Sequence, residues 1–238
     1  MKAVVLAAGE GTRLRPLTLQ RPKPMLPIGG TPLLEHTLRW LHNHGVDEVA
    51  LNLHHLPQMV MDHFGDGRRW DLRLRYSVEE ELLGTAGALT RFPDFFDDEP
   101  FFLVYGDLLT AVDLGEMRRF HGERGAAATV ALYRVPNPTE CGLVDLDEQG
   151  RIRRFVEKPP PHEVFTDLAN AGIYVLEPRL VQSLEPGQFC DFGRHVFPRL
   201  LAAGELLLGY PIHNYLLDMG TLAKYQQAQD DWAAGRVR

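Results

Sequence analysis

Residues 3–18 of the chain read AVVLAAGEGTRLRPLT, and the dipeptide Lys23-Pro24 follows a few positions later. The apolar, partly β-branched run at 4–6 predicts a short buried strand that ends where the small residues begin. The turn after it carries few side chains, so its backbone can adopt positive φ angles and approach a ligand closely. Peptide N–H groups presented in this way form a cradle for an anion. The small residues concerned are Ala7, Ala8, Gly9 and Gly11.

Two cations accompany this loop. Arg13 presents a planar guanidinium that can bind two phosphate oxygens, and Lys23 adds a mobile point charge. Together with the glycine-rich loop, these two cations favour a polyphosphate as the ligand. A structural glycine turn with two solvated cations is the alternative, because short glycine motifs often match by chance. The loop is not a Walker A motif, since Gly-Lys-Ser/Thr is missing. It also lacks the third glycine of the dinucleotide fingerprint, which argues against a dinucleotide-dependent oxidoreductase.

The composition is that of an ordinary globular enzyme, with 238 residues, 45% hydrophobic and 24% charged. A net charge of −7 disfavours nucleic acid and anionic membranes as partners, because both attract basic proteins. The only cysteines, Cys141 and Cys190, are far apart in the sequence, which disfavours a disulfide framework or a zinc site. The first residues predict a strand rather than a signal peptide, and no stretch approaches the roughly 20 apolar residues of a membrane helix. We therefore expect a cytoplasmic protein.

Strands alternate with helices as far as about residue 135, which predicts an α/β fold. We expect a Rossmann-like, mostly parallel central sheet with helices on both faces. The predicted strands of this part lie at 49–53, 72–76, 101–105 and 129–133, and helices begin at Thr31-Pro32, 58 and 84. Shorter strands are predicted at 142–145, 152–156 and 169–176, followed by helices at 192–201 and 222–232. Because no linker or repeat interrupts the pattern, we expect one domain over residues 1–238, with halves at about 1–110 and 111–238.

Two aspartates end apolar runs. Asp107 follows Gly106 after the strand predicted at 101–105, and Asp218 follows Tyr215-Leu216-Leu217. Either carboxylate alone could simply cap the next helix. Two of them in a chain with a phosphate loop suggest a shared Mg²⁺ ion, which prefers one or two carboxylates together with phosphate oxygens and water.

The pattern Leu-x-x-Gly-x-Gly-Thr-Arg-Leu-x-Pro-Leu-Thr at residues 6–18, followed by Lys23-Pro24, closely resembles the sugar-1-phosphate nucleotidyltransferase family, the NDP-sugar pyrophosphorylases. The resemblance runs from Met1 to about Ala228, and these residues lack the hexapeptide-repeat β-helix that many relatives carry. It implies Mg²⁺-dependent transfer of a nucleotide from an NTP to a sugar 1-phosphate, without nucleic acid or a membrane as partner. The half at about 1–110 would bind the nucleotide and the half at 111–238 the sugar phosphate. A homo-oligomer stays open.

The resemblance also implies roles for individual residues. In the Glu-Lys-Pro motif, Glu157 would accept hydrogen bonds from sugar hydroxyls and Lys158 would hold the sugar phosphate; on its own the pair could be an ordinary charged turn. The metal would lie on Asp107 and Asp218, although the Tyr-Gly-Asp at 105–107 departs from the Asn-Gly-Asp of many members. The implied catalytic residues are Arg13, Lys23, Asp107 and Lys158. The implied nucleotide-binding residues are Leu6, Ala8, Gly9, Gly11, Thr12, Arg13, Lys23, Gly84, Thr85 and Asp107, and the sugar-phosphate-binding residues are Gly142, Glu157, Lys158, Asn170 and Gly172.

The segment at 83–89, Leu-Gly-Thr-Ala-Gly-Ala-Leu, resembles the base-contacting segment of mannose-1-phosphate and manno-heptose-1-phosphate guanylyltransferases. The segment Phe-Cys-Asp-Phe-Gly at 189–193 also resembles the heptose-phosphate members. GTP with mannose 1-phosphate or a manno-heptose 1-phosphate is therefore the implied substrate pair. An ordinary glycine-rich helix start remains an alternative for 83–89. A UTP- or dTTP-dependent glucose-1-phosphate nucleotidyltransferase and a non-catalytic sugar-nucleotide-binding regulator also stay open.

Overall fold

The computed structural model describes residues 1–237, and the chain divides into two compact units. The first unit contains Met1–Leu82, Val104–Asp113 and the chain from Asn214 onward, and the second contains Leu83–Leu103 and Leu114–His213. Each unit is therefore built from segments that are distant in the sequence.

The strands are β1 (Lys2–Leu6), β2 (Pro27–Ile28), β3 (Thr31–Pro32), β4 (Glu48–Leu53), β5 (Arg73–Val78), β6 (Phe101–Tyr105), β7 (Leu108–Thr110), β8 (Ala128–Arg134), β9 (Gly142–Leu146), β10 (Ile152–Glu157), β11 (Leu168–Leu176), β12 (Leu207–Pro211) and β13 (Leu216–Asp218). The α-helices are α1 (Leu33–Asn43), α2 (Pro57–Phe64), α3 (Gly84–Gly87), α4 (Leu114–Gly122), α5 (Arg179–Gln182), α6 (Phe197–Ala202) and α7 (Leu222–Ala233).

The first unit is organised on a parallel sheet. β1 pairs with β4 and β4 with β5, so that Val5 lies opposite Leu51 and Leu51 opposite Tyr76. Every residue of β4 is buried, as expected for a strand with a parallel neighbour on each side. Helix α1 contributes a buried stripe at Leu34, Leu38 and Leu41, the spacing of one helical face.

A second ladder in the first unit carries the two aspartates. β7 and β13 are antiparallel, with Leu109 opposite Leu217. Both leucines lie in an apolar cluster with Ile28 and Ala228, which fixes the ladder against the segment after the loop and against α7. The backbone around the aspartates is therefore held by packed side chains.

The second unit is a mixed sheet centred on β8. β11 runs antiparallel to β8 and β12 parallel to it, and a β9–β10 hairpin joins the sheet where Leu143 pairs with Ala169. Its core includes the rings of Tyr174 and Phe197, whose centroids are 5.3 Å apart in an edge-to-face contact. This unit holds the shorter strands that the sequence predicts beyond residue 135.

The predicted α/β class with a Rossmann-like central sheet is confirmed. Parallel pairing joins β1, β4 and β5 in the first unit and β8 with β12 in the second, while the antiparallel pairs fall among β8–β11 and in the small ladders. The helix predicted from 192 begins as a π-helical turn at Phe192–Val196 and continues as α6. Within residues 1–237, no helix has the length and apolar character that crossing a membrane requires.

Candidate active site

The loop after β1 is tied to its neighbours at its first residues. Gly106 N donates to the Leu6 carbonyl at 2.8 Å. Ala7 N donates to Asn52 Oδ1 at 2.9 Å, and Asn52 Nδ2 donates in turn to the buried Glu79 carboxylate at 2.9 Å. The N–H of Ala7 is thus used within the protein. Gly9 and Glu10, two residues further on, are exposed, so the open part of the predicted cradle begins after Ala8.

Gly11 is the position where the loop needs glycine. Its φ is +64°, and a Cβ added there would lie 2.9 Å from Cγ2 of Thr18. Thr18 is buried, and its hydroxyl donates to the Gly11 carbonyl at 2.8 Å. Thr12 then opens a 3-10 turn that contains Arg13. The loop is therefore curled around Thr18 in one conformation and presents Thr12 and Arg13 at its turn.

Lys23 and Asp107 form a close ion pair. The Lys23 Nζ lies 2.5 Å from Asp107 Oδ2, with the lysine side chain only 10% exposed and the aspartate 32% exposed. Lys23 comes from the 3-10 turn Lys23–Met25, and Asp107 lies between β6 and β7. The lysine charge is thus shielded from water and aimed at the aspartate that was predicted to bind metal.

The second aspartate lies beside the first. Met219 N donates to the Asp107 carbonyl at 2.9 Å, and Asp218 pairs with Leu108 in the β7–β13 ladder. Lys224 Nζ reaches Asp218 Oδ2 at 3.3 Å from the first turn of α7. Arg13 is close to the same aspartate. A Cβ added at Gly220 would lie 3.0 Å from Arg13 Nη2 and 3.2 Å from both Asp218 carboxylate oxygens.

This donor set fits Mg²⁺. Two carboxylates at neighbouring backbone positions match the one or two protein carboxylates that the ion takes when phosphates and water supply the rest. In the part of the chain that the structure describes, no three His, Cys, Asp or Glu side chains are placed to bind a metal together. Substrate oxygens and water would therefore have to complete the ligands of an ion on Asp107 and Asp218.

In the second unit, Glu157 ends β10 in a confined position. A Cβ added at Gly142 would lie 2.6 Å from its Oε2, and one added at Gly193 would lie 2.7 Å from it. Burial raises the pKa of the Glu157 carboxyl, partly offset by the charges of Lys158 and Arg194. Only glycine backbone leaves room for the carboxylate at either position. Gly142 was predicted to lie at this site, whereas Gly193 was not.

Lys158 has an unusual backbone. Its φ is +50°, a conformation that costs an L-residue about 1 kcal/mol. Its N–H donates to the Cys141 carbonyl at 3.0 Å, which holds the end of β10 in place, and its side chain is exposed. The turn therefore directs a solvent-accessible ammonium next to the confined Glu157 carboxylate.

Asn170 and Gly172 lie at an irregularity of β11. Gly172 has a φ of +72°, and its N–H donates to Asn170 Oδ1 at 2.9 Å. Asn170 Nδ2 donates to the Tyr174 hydroxyl at 2.7 Å. Both ends of the Asn170 amide are therefore engaged inside the protein, and a sugar hydroxyl would have to share the carbonyl oxygen or the second hydrogen of the amide.

The segment at Gly84 and Thr85 is fastened rather than open. The N–H groups of Ala86 and Gly87 both donate to the Cys190 carbonyl, at 2.8 and 3.0 Å. The N–H of Thr85 donates to Asp191 Oδ1 at 3.0 Å. The N–H groups in the first turn of α3 are thus used by the protein, and this helix start does not offer the free anion site that glycine-rich starts can provide.

The structure groups the predicted residues within each unit. Arg13, Lys23, Asp107 and Asp218 come together in the first unit, and Gly142, Glu157 and Lys158 in the second. The sequence prediction assigned no role to three residues that contact predicted site residues, namely Asp191, Gly193 and Lys224. Asp191 and Gly193 were visible in the Phe-Cys-Asp-Phe-Gly segment, and Lys224 gave no motif signal.

A glycine loop after β1, the cations Arg13 and Lys23 and two carboxylates at adjoining backbone positions characterise the site of this α/β protein. The chain belongs to the Nucleotidyl transferase family, whose model matches residues 2–235. It is 38% identical over 236 residues to mannose-1-phosphate guanylyltransferase of Mycobacterium tuberculosis, covering 98% of this chain and 65% of the relative. It is 36% identical over 241 residues to UTP–glucose-1-phosphate uridylyltransferase of Synechocystis sp., covering 96% of this chain and 62% of the relative.

A solved structure of UDP-glucose pyrophosphorylase complexed with UDP-glucose has the same fold, with a TM-score of 0.85 at 22% identity over 99% of both chains. The chain spans somewhat less than two thirds of the length of the two curated relatives.

Proposed function

We propose that this chain transfers a nucleoside monophosphate from an NTP to a sugar 1-phosphate and releases pyrophosphate. The observation that carries the proposal is the cluster of Arg13, Lys23, Asp107 and Asp218 in a chain of the nucleotidyl transferase family. A phosphate oxygen of the sugar 1-phosphate attacks the α-phosphorus of the NTP. The new P–O bond forms as the bond from the α-phosphorus to the oxygen bridging to the β-phosphate breaks, and pyrophosphate leaves with that electron pair.

The residues act by positioning and by charge. Arg13 stabilises the charge that develops on the α-phosphate and the departing pyrophosphate, and Lys23 binds near the α-phosphate. Lys158 holds the attacking phosphate while Glu157 accepts hydrogen bonds from the sugar hydroxyls. The attacking phosphate is ionised at pH 7, so no side chain has to remove a proton.

Mg²⁺ is part of this proposal. Asp107 and Asp218 would hold the ion, which when bound neutralises phosphate charge. The Lys23–Asp107 pair, at 2.5 Å, supports this arrangement, because it holds the lysine at a carboxylate that would bind the ion. The remaining predicted nucleotide contacts are backbone positions of the loop and of the second unit, at Leu6, Ala8, Gly9, Gly11, Thr12, Gly84 and Thr85. Gly142, Asn170 and Gly172 complete the sugar side.

We favour GTP and a manno-configured sugar 1-phosphate, mannose 1-phosphate or a manno-heptose 1-phosphate. The resemblance of 83–89 to guanylyltransferases and the 38% identity to the mycobacterial mannose-1-phosphate guanylyltransferase support this choice. The 36% identity to the Synechocystis uridylyltransferase supports the second candidate, UTP or dTTP with glucose 1-phosphate.

We further propose one nucleotidyltransferase domain over 1–238, with the nucleotide half at about 1–110 and the sugar-phosphate half at 111–238. The domain would act in the cytoplasm.

The test is pyrophosphate release from GTP, UTP, dTTP, CTP and ATP, each with mannose 1-phosphate, glucose 1-phosphate or a manno-heptose 1-phosphate, with and without Mg²⁺. Turnover confined to GTP with a manno-configured sugar supports the favoured pair, and turnover with UTP or dTTP supports the second. Asp218→Asn, which keeps the shape of the side chain, should abolish the Mg²⁺ dependence together with the activity. If the protein binds a sugar nucleotide tightly but turns over no pair of substrates, the result would contradict the proposed enzyme and favour a non-catalytic sugar-nucleotide-binding regulator.

A further inference from the structure

The segment at 83–87 is fastened to residues 190–192 by a set of hydrogen bonds that the sequence motifs did not assign. Asp191 Oδ1 accepts two of them, from Thr85 N at 3.0 Å and from the Thr85 hydroxyl at 3.1 Å. The same hydroxyl accepts a bond from Phe192 N at 2.9 Å. The Thr85 side chain is thus engaged both as donor and as acceptor inside the second unit. We call Asp191, Thr85 and Phe192 the Asp191 clamp.

The backbone around the clamp leaves little freedom. Cys190 N donates to the Leu83 carbonyl at 2.8 Å, and the Cys190 carbonyl accepts the N–H groups of Ala86 and Gly87. Gly84 has a φ of +77°, and a Cβ added there would lie 2.6 Å from the Cys190 carbonyl oxygen. The turn at Gly84 therefore packs directly against the segment at 190–191, and a side chain at this position would collide with it.

Asp191 is itself held in position. Its N–H donates to His195 Nδ1 at 2.9 Å, and its carbonyl accepts the N–H groups of His195 and Val196 at 3.0 and 3.2 Å. Phe192, the next residue, is buried against Tyr174 at a ring separation of 5.6 Å. The carboxylate thus projects from a rigid base, and its two bonds to Thr85 transmit that rigidity to the turn.

We propose that Asp191 is a positioning residue for nucleotide recognition: through the Asp191 clamp it fixes the Gly84–Gly87 turn in the conformation that receives the nucleobase. This inference rests on the proposed function, in which the turn contacts the base. Asp191 touches no reacting atom in this scheme. Its loss should weaken the binding of the nucleotide and the choice of base while leaving the chemical step and the sugar phosphate largely unaffected.

Steady-state kinetics on clamp variants test the proposal. Asp191→Ala and Thr85→Val, which keeps the shape of threonine without its hydroxyl, should each raise KM for the NTP about tenfold or more, because each removes two hydrogen bonds of the clamp. kcat and KM for the sugar 1-phosphate should each change less than about threefold. A threefold change corresponds to less than half of the free energy of a tenfold change in KM for the NTP. Asp191→Asn keeps the acceptor oxygen and should retain the wild-type KM. Glu148→Ala, an exposed carboxylate in the β9–β10 turn of the same unit, is the matched control.

The double variant Asp191→Ala/Thr85→Val should lose less than the sum of the two single losses, because both single variants remove the bond between the Thr85 hydroxyl and Asp191. Additive losses, an Asp191→Asn variant as impaired as Asp191→Ala, or equal losses in kcat and in both KM values would overturn the proposal. If the wild-type chain turns over no pair of substrates, the proposed function has failed, and the clamp is judged by amide hydrogen exchange. In that case faster exchange at 83–88 in Asp191→Ala supports the clamp, and unchanged exchange refutes it.

Discussion

Lys23 and Lys224 show how two lysines of one cluster can differ in burial. The Lys23 side chain is 10% exposed, with its Nζ 2.5 Å from Asp107 Oδ2, whereas the side chain of Lys224, which pairs with the neighbouring Asp218 at 3.3 Å, is 42% exposed. A shielded charge interacts more strongly with a partner or a substrate than one screened by water. The two lysines therefore form a natural comparison within one cluster.

Replacing each lysine by methionine separates their contributions. We expect Lys23→Met to lower kcat/KM by a factor of about 10² to 10³, as does the loss of a group that stabilises charge in the transition state. Lys224→Met should cost less than about tenfold, because its charge is already screened. Pyrophosphate release measures both, and the melting temperature controls for misfolding. Equal effects of the two substitutions would contradict a special role of Lys23.

Glu157 should cost the protein stability at neutral pH. Burial raises the pKa of the Glu157 carboxyl in the folded state. The protonated carboxyl therefore contributes to stability at pH values below the pKa of the unfolded chain, and this contribution is lost as the pH rises through the folded-state pKa. The partly buried carboxyl therefore favours folding less at pH 7 than at acidic pH. Glu157→Gln should therefore raise the melting temperature by about 2 °C while raising KM for the sugar 1-phosphate about tenfold or more, since a charged acceptor is lost.

The control for this change is Glu163→Gln, in the 3-10 turn that follows, whose side chain is 50% exposed. It should alter neither the melting temperature nor KM. A glutamine variant at 157 that is less stable than the wild type at pH 7, in calorimetric scans, would contradict the account of burial.

At the scale of the elements, helix α4 is joined to β8 by a buried histidine. The ring nitrogens of His121 lie 2.8 Å from the Thr129 hydroxyl and 3.1 Å from the Glu177 carboxylate. A neutral ring with its hydrogen on Nε2 satisfies both partners, with Nδ1 accepting from Thr129. Burial lowers the pKa of His121, although Glu177 opposes the shift. The folded state therefore favours the neutral form of the His121 ring.

A lowered pKa in the folded state makes stability depend on pH in one direction. The unfolded chain binds the proton more readily, so the stabilisation from neutral His121 is present above about pH 6.5 and is lost as the pH falls. We expect the free energy of unfolding to decrease between pH 7 and 5, with a His121 contribution of at most about 1.4 kcal/mol per pH unit. His121→Gln should flatten the curve in urea titrations, whereas His162→Gln, on an exposed turn, should leave its slope unchanged.

The elements also show where sequence patterns stop being informative. The strand β6 was predicted with its bounds at 101–105, because a continuous apolar run that ends at a glycine is distinctive. The helix expected to begin at Thr31-Pro32 begins instead at Leu33, since Thr31 and Pro32 pair with β2. The strands β7 and β12 were not predicted. β7 has only three residues and depends on pairing with β13, whose paired residues are 106 to 110 positions away in the sequence.

At the scale of the whole molecule, the sequence by itself determined the class of the protein. The glycine loop, Arg13, Lys23 and the two aspartates are local signals, because each depends on residue types within a few positions of a strand end. The α/β class followed from the alternation of apolar runs, which is also local. These signals predicted the family and the residues proposed to bind phosphate, and the family match over residues 2–235 confirms the first of these predictions.

Only the tertiary structure decided which groups meet and which are already occupied. In the folded chain Lys23 pairs with Asp107, 84 positions away in the sequence, and Asp191 accepts a hydrogen bond from Thr85, 106 positions away. The tertiary structure also showed that the N–H of Ala7 and the amide of Asn170 are engaged within the protein. Such facts depend on packing between distant segments, and no spacing in the sequence encodes the distance at which two side chains come to rest. The physical reason is that hydrogen bonds and ion pairs are short-ranged, so whether one forms depends on how the whole chain is packed.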